Sequence, residues 1–413
     1  MSEILPSEYP EIAFDHFLIR RHTYFLSHVH TGLDSVTWPC RIYCSQLTKC
    51  LLLAKRGYGF LNGYLLDSTM DVVLLQAGHC IGSTMFLIRG NAGTILYTGD
   101  FRLSVDGVRQ FKTILPFGVD TIYLDTTFFH PSWRYIPNRE TAAQTALSLI
   151  NRWLKSLKLE GDLLGQCMVY LCLPAQFGYE YLLETIASHF GTKVYVEPEL
   201  MQCYANLPDT LFRKCLCFDP RDAWLHVRRK RTHCASRRRA TTRHVCERAF
   251  KSVAVDGSHP LPNVPINRVI CSSLPKLAII PTAIWFGEHY SRTYETVDFA
   301  FIPSHDLRDQ TVRLFYGTHS SEHEITELVL SIRPKKAVAC CTPPSDTLES
   351  VQSRLDALVA KSLDRPNTSL STISSCQTGD SSELFGSIRM YPVLSLQISF
   401  CRFPTIFSLN YMS

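Results

Sequence analysis

Apolar and polar positions along the chain fall into two regimes. Through residues 11–130 the apolar residues gather in short runs: YFLSHV, RIYCS, DVVLLQAG, TMFLIRG, GTILYTGD and TIYLDTT. β-Branched and aromatic residues dominate these runs and Gly, Asp or His closes them, the pattern of short strands joined by tight turns. Several runs end at a His or an Asp, where a strand delivers a side chain to a site and then turns. From residue 139 the period lengthens. RETAAQTALSLINRWLKSLKL sets Ala143, Leu147, Ile150 and Leu154 near one face of a helix. CMVYLCLP then reads as a buried strand and GYEYLLETIASHF as the helix after it. That rhythm, sustained to about Tyr195, predicts a separate α/β unit.

Further along, residues 205–262 read as irregular and basic, and VIC and LAIIPTAIWFG as strand-like. SSEHEITELVLSIR and DTLESVQSRLDALVA read as helices on either side of a short strand, KAVACC. Residues 363–384 are rich in Ser and Thr and are expected to form a mobile linker. The apolar stretch after them is broken by Pro392, Arg402 and Pro404 and reads as neither a helix nor a polar tail.

Composition narrows the class. A chain of 413 residues can bury a large core in two domains, or in one domain with a large insertion. With 46% hydrophobic and 19% charged residues it is an ordinary globular composition. No apolar run approaches the roughly 18 residues of a membrane span. The start is acidic and lacks a secretory pattern, and the 16 cysteines form no regular framework, so reduced thiols in the cytosol or nucleus are expected. The net charge of +5 is mild, but eight Lys and Arg residues crowd into 228–243. Such a run suits a solvated loop, a nucleic-acid contact or a nuclear-import signal. Arg228, Arg229, Lys230 and Arg231, which open it, are the candidate DNA contacts.

Candidate chemistry lies at the strand ends. SHVH carries His28 and His30, AGHCIGS carries His79, and LYTGDFR carries Asp100. Alternate residues of a strand share a face, so an H-x-H pair can grip one ion. Singly, a His after a strand is commonly a satisfied structural residue and the Asp of TGD a turn former. Three such motifs in this order point to a metal centre. Phosphodiester hydrolysis needs an activated water and a counter-charge for the non-bridging oxygen, both of which a coordinated cation provides.

These motifs, with YPEIAFDHF, YLDTTFFHPSWRYIPNRE, FGYEYLLETIASHFG, AIWFGEHYSRT and THSSEHEI, resemble the metallo-β-lactamase superfamily with a β-CASP insertion, in its DNA-processing nuclease branch. The resemblance covers residues 9 to about 360. It implies a four-layer αββα sandwich built from 1–130 and 316–362, an inserted β-CASP α/β domain over 131–315, and an active cleft between the two. Residues 363–413 are left as a C-terminal tail, either disordered or translated past a true exon end. By the same resemblance Asp15 supports the ligand histidines, His28, His30 and His79 bind the first metal, and Asp100 bridges two ions. Asp125 then occupies the β-CASP acidic motif and His319 the histidine that closes the centre. The motif within KAVACC offers Val338 or a Cys and no His, as in the DNA-acting branch. The implied cofactors are Zn²⁺ and/or Mg²⁺, one or two ions. The implied activity is 5′-exonuclease and structure-specific endonuclease cleavage of hairpins and overhangs, in double-strand-break repair by non-homologous end joining. Implied partners are DNA ends, hairpins and overhangs and end-joining factors such as a DNA-dependent kinase and a ligase complex; the location is the nucleus, with no membrane. The long regulatory tail that the resemblance implies is not expected in this chain, which puts recruitment of those factors in doubt.

Two departures qualify the resemblance. The family continues its first cluster as H-x-H-x-D-H, whereas this chain reads His30-Thr31-Gly32-Leu33-Asp34. Without the Asp-His pair, the first ion keeps His28, His30, His79 and Asp100, while the second is left with Asp100, His319 and water. Activity is then expected to be impaired, and the alternative is a catalytically inactive DNA-end-binding protein of the same fold. A sequence with a few codons dropped after Thr31 would read the same way. The second departure is a candidate structural zinc set of His244, Cys246 and Cys271, with His259 as another choice and Tyr195 where the family has a His. WRYIP and Trp285-Phe286 suit core packing, or base stacking at a cleft. Lys49, Arg56 and Arg102 read as solvated side chains.

Overall fold

The computed structural model describes residues 5–21, 23–29, 40–54, 62–64, 71–104, 107–108, 118–159, 161–208, 212–229, 274–290, 297–302, 309–344, 346–364, 390–391 and 394–398. The chain forms two compact units, Met1–Thr127 with Glu324–Ser413, and Phe128–His323 inserted between those two segments.

The first unit carries β1 (Ile12–Phe14), β2 (Thr23–Phe25), β3 (Cys40–Cys44), β4 (Asn62–Tyr64), β5 (Asp71–Gln76), β6 (Thr84–Gly90), β7 (Gly93–Tyr97) and β8 (Thr121–Leu124). The inserted unit carries β9 (Met168–Leu173), β10 (Val194–Tyr195), β11 (Leu216–Cys217), β12 (Leu225–Arg229), β13 (Lys276–Thr282), β14 (Phe299–Ile302) and β15 (Asp309–Phe315). The chain then returns to the first unit with β16 (Lys336–Ala339), β17 (Met390–Tyr391) and β18 (Leu394–Ile398). Two sheets result in the first unit, in the orders β1-β2-β3-β18-β4 and β16-β8-β7-β6-β5-β17. In the second of these, β7, β8 and β16 run parallel, while β5, β6 and β7 form an antiparallel meander. Their facing sides share one core: Ile12, Phe14, Phe25 and Tyr43 from one sheet, Phe86, Ile95, Tyr97 and Tyr123 from the other. Phe14 stacks on Tyr97 at 4.3 Å and Phe25 meets Phe86 edge-on at 5.0 Å. Burying each such ring stabilises the sandwich by about 1.5–3 kcal/mol.

The inserted unit is built on one seven-stranded sheet in the order β11-β10-β12-β9-β13-β15-β14, parallel except for β14. The β–α–β periodicity had called for such a unit. Its helix Arg139–Ser156 is capped by Asn138, whose side chain accepts from the Thr141 amide at 2.7 Å, and it buries Ala143, Leu147, Ile150 and Leu154 as their spacing predicts.

Three segments differ from expectation. The stretch read as irregular contains β12, a central strand on which Leu225 and Val227 are fully buried. Its two apolar residues alternate with His226 and Arg228, a period-two pattern masked by the basic residues that follow. LAIIPTAIWFG is not one strand: β13 ends at Thr282 and a helix begins at Ile284. The tail expected to lack structure contributes β17 beside β5 and β18 between β3 and β4, in keeping with the alternation of Leu394, Leu396 and Ile398. The segment VIC lies outside the described residues.

The helix Ile284–Tyr290 shows why WRYIP and WFGE are packing elements of this unit. Phe286 stacks on Phe315 at 4.5 Å, and the buried Trp133 indole donates from Nε1 to the Ala283 carbonyl at 3.0 Å. A Cβ at Gly287 would lie 2.1 Å from the Trp133 ring. Gly287→Ala should therefore overpack this core and cost about 1–3 kcal/mol. A denaturant titration should show a lowered midpoint, with a smaller loss in the Trp133→Phe background, where the clashing ring edge is gone. Equal losses in both backgrounds would mean that the indole is not the obstacle.

Candidate metal centre

Four strand ends of the first unit deliver the candidate ligands. Ser27 and His28 follow β2, Gly78 and His79 follow β5, Asp100 follows β7 and Asp125 follows β8. Two close backbone approaches bring the first three together. Gly99 has φ of +52°, and a Cβ there would lie 2.5 Å from the Ser27 Cβ. Gly78 has φ of +71°, and its Cβ would lie 2.3 Å from the Arg102 carbonyl oxygen. Only glycine adopts both the left-handed conformation and that contact without strain. The Arg102 amide donates to the Ala77 carbonyl at 2.8 Å and the Thr84 amide to the Ser27 carbonyl at 2.9 Å, so all three loops are stitched together. The Ser83 hydroxyl accepts from the His79 and Cys80 amides at 3.0 and 3.1 Å and fixes the turn that carries His79.

The resulting geometry suits one ion. His28 Nε2 and His79 Nε2 lie 3.5 and 3.9 Å from the same oxygen of Asp100, Oδ2. Ligands bonded to a single tetrahedral ion at about 2.0–2.2 Å stand roughly 3.3–3.6 Å apart. The three ligand atoms all fall within 4.8 Å of one another, and the two imidazoles meet edge-on at 5.0 Å. Both rings are buried and Asp100 nearly so. The donor set of two imidazoles and a carboxylate suits Zn²⁺ or a similar divalent cation.

Hydrogen bonds set the protonation of His28. Ser27 Oγ donates to Asp15 Oδ2 at 2.5 Å, since a carboxylate only accepts, and lies 2.8 Å from His28 Nδ1. Having used its proton on Asp15, the hydroxyl accepts from Nδ1–H, which leaves the lone pair on Nε2, the atom facing Asp100. Asp15 also accepts from the Ser27 amide at 2.8 Å and from the Tyr97 hydroxyl at 2.8 Å. Burial, and then the neighbouring Asp15, pushes the Tyr97 phenol well above its usual range, so it keeps its proton and donates. Asp15 holds a left-handed backbone with φ of 47°. Asp15 is thus linked to the candidate ligand His28 through Ser27, an arrangement that suits a positioning residue. Ser27 and Tyr97 were not singled out from the sequence, although Ser27 stands in the SHVH motif itself.

The other expected residues fall out as follows. Asp125 is buried; its Oδ1 accepts from the Thr127 amide and hydroxyl at 3.0 and 2.6 Å, and it groups with Asp100 and Cys341 in a second cluster. His319 follows β15, whose pairing with β13 and β14 places it in the inserted unit, where its ring meets Phe128 edge-on at 5.8 Å. Arg102 is not solvated: it is buried, with its guanidinium 3.8 Å from Glu324. Arg228 lies on β12 with its guanidinium over the Tyr170 ring at 4.1 Å, a side chain already committed to a stacking contact. Arg229 closes the same strand. His30, Asp34, Arg56, Lys230, Arg231, His244, Cys246, His259 and Cys271 lie outside the described residues.

Comparison with known proteins gives the fold and site a context. No family model matches the chain. It is 28% identical over 397 residues to "Protein artemis" of Gallus gallus, covering 85% of this chain and 49% of that protein. Against "Protein artemis" of Homo sapiens the identity is 28% over 395 residues, covering 86% and 51%. Against "5' exonuclease Apollo" of Mus musculus it is 34% over 214 residues, covering 46% and 37%. The chain is thus Artemis-like over most of its length, and it spans about half the length of the Artemis proteins it matches. A solved structure described as a protein of unknown function from Enterococcus faecalis V583 superposes with a TM-score of 0.41 at 14% identity, covering 77% of this chain and 74% of that one. Among the described residues no helix is long and apolar enough to cross a membrane.

If the Asp15–Ser27–His28 relay orients the imidazole, Ser27→Ala should weaken cation binding tenfold to a hundredfold while the fold persists. Competition with a chromophoric chelator for Zn²⁺ measures this directly. Unchanged affinity in Ser27→Ala would remove the relay from the account.

Proposed function

We propose that this protein is a metal-dependent DNA nuclease of the metallo-β-lactamase/β-CASP type, with the first unit as the metallo-β-lactamase sandwich and the inserted unit as the β-CASP domain. The observation that carries the reading is the convergence of His28, His79 and Asp100 at single-ion distances on an Artemis-like chain. 5′-Exonuclease action is in the printed name of the Apollo relative; opening of hairpins and overhangs, end joining and a nuclear location rest on the motif resemblance of the sequence. They are proposed here on that basis, as are DNA ends and end-joining factors as partners.

A divalent cation in this centre, Zn²⁺ or Mg²⁺, would supply Lewis acidity and lower the pKa of bound water from 15.7 towards about 7. The chain's own residues do the rest. His28 and His79 offer their Nε2 atoms, and Ser27 and Asp15 favour the tautomer of His28 that frees its Nε2 lone pair. Asp100 anchors the charge. Arg102 is buried and its guanidinium lies 3.8 Å from Glu324. A second reading, an inactive DNA-end-binding protein, draws on the missing Asp-His pair after Thr31.

A cleavage assay on 5′-phosphorylated single-stranded and hairpin DNA, with Mg²⁺, Mn²⁺ or Zn²⁺, separates the two. The expected result is slow, chelator-sensitive cleavage that falls at least a hundredfold in Asp100→Asn, about 2.7 kcal/mol of transition-state stabilisation. Inserting Asp-His after Thr31 should raise the rate. Binding of ends without cleavage, in both the native and the Asp-His-inserted chain, would establish the end-binding reading. Cleavage indifferent to Asp100→Asn would place the chemistry elsewhere.

A further inference from the structure

A second cluster adjoins the histidine site and shares its carboxylate. Ligand atoms of Asp100, Asp125 and Cys341 all lie within 4.8 Å of one another. Their placement follows from sheet order. β16, β8 and β7 are consecutive parallel neighbours, and each delivers one residue just past its end: Cys341, Asp125 and Asp100. The register Ala339↔Leu124 brings Cys340 and Cys341 alongside Asp125 and Thr126. The Cys340 amide donates to the Leu124 carbonyl at 2.9 Å. The Cys341 amide donates to Thr126 Oγ1 at 3.3 Å, and that hydroxyl in turn donates to the Cys341 carbonyl. Asp125 is held as firmly: its amide donates to Thr98 Oγ1 at 2.9 Å, and its Oδ1 is occupied by Thr127. Backbone and hydroxyl hydrogen bonds thus fix Asp125 and Cys341 beside the loop that carries Asp100.

We propose that Asp100, Asp125 and Cys341 form a second cation site, one that takes a thiophilic divalent ion, Zn²⁺ or Co²⁺, in preference to Mg²⁺. The assignment rests on reading His28, His79 and Asp100 as a metal centre, because Asp100 would serve both. Two carboxylates and a sulfur are a complete protein donor set for Zn²⁺, whose open position then remains for water or substrate. Mg²⁺, a hard ion that takes oxygen ligands, gains nothing from sulfur. This set makes no use of the Asp-His pair absent after Thr31, so the second ion has ligands of its own. The site differs in softness from the first, which offers nitrogen and oxygen only.

Cobalt titration of the full chain tests this with a readout independent of activity. A thiolate ligand gives Co²⁺ an intense charge-transfer band in the near ultraviolet, which nitrogen and oxygen ligands do not. In a Cys246→Ser, Cys271→Ser background, which removes the thiols of the other candidate zinc set, two equivalents should bind, the thiolate band should rise with one of them, and a large excess of Mg²⁺ should not erase it; the Cys341 variants are made in the same background. Cys341→Ser and the apolar Cys341→Val should each lose that band and one equivalent while keeping the other; two variants guard against one that folds poorly. Asp100→Asn should weaken both. A single equivalent without the band, a band that survives both Cys341 variants, or a band lost in Cys80→Ser instead would overturn the second site and leave the histidine site standing. No cobalt bound at all would overturn both.

Discussion

The centre exists because three loops approach more closely than side chains ordinarily permit. Gly99 lies against Ser27 and Gly78 against the Arg102 carbonyl, each at a distance that any Cβ would violate. Displacement by even one methyl group would disturb the 3.5–3.9 Å spacing of Asp100 from His28 and His79, the spacing that the proposed shared ion requires. The sandwich core sets the frame on which these loops are hung. Tyr97 links the two levels: its ring packs against Phe14 between the sheets, and its hydroxyl reaches Asp15. Core packing and ligand orientation therefore meet in one side chain, and damage to either is felt by the other.

What could be read from the chain, and what could not, divides along the range of the interactions. The strands of the first unit were legible because each is a compact apolar run closed by a turn residue. His28, His79 and Asp100 were legible because each follows such a run directly. The role of Ser27 was hidden, although the residue was in view, because it depends on a carboxylate on β1's exit and a phenol on β7. Cys341 was reachable only as one of several positions in KAVACC; the register of β16 on β8 selects it. β12 was missed because two apolar residues alternating with His and Arg look like the start of a basic run. The Ala283 break is marked locally only by Pro281, which the strand tolerates one residue before its end; Trp133, far back in the chain, takes up the space beside the new helix.

Arg102 illustrates how a buried charge can mislead. A cation two residues after a metal ligand invites a role in gripping phosphate. Here its guanidinium and the Glu324 carboxylate are both largely sequestered from water, 3.8 Å apart. Withdrawing Arg102 towards a substrate would strand Glu324, and breaking such a buried pair costs about 3–5 kcal/mol. The positive charge of Arg102 is therefore partly balanced by Glu324. The Asp100 carboxylate lies 3.5 and 3.9 Å from the His28 and His79 imidazoles and groups with Asp125 and Cys341 as well, so it belongs to two candidate donor sets of unlike softness. Asymmetry of that kind lets one carboxylate hold two different ions, each chosen by its remaining ligands.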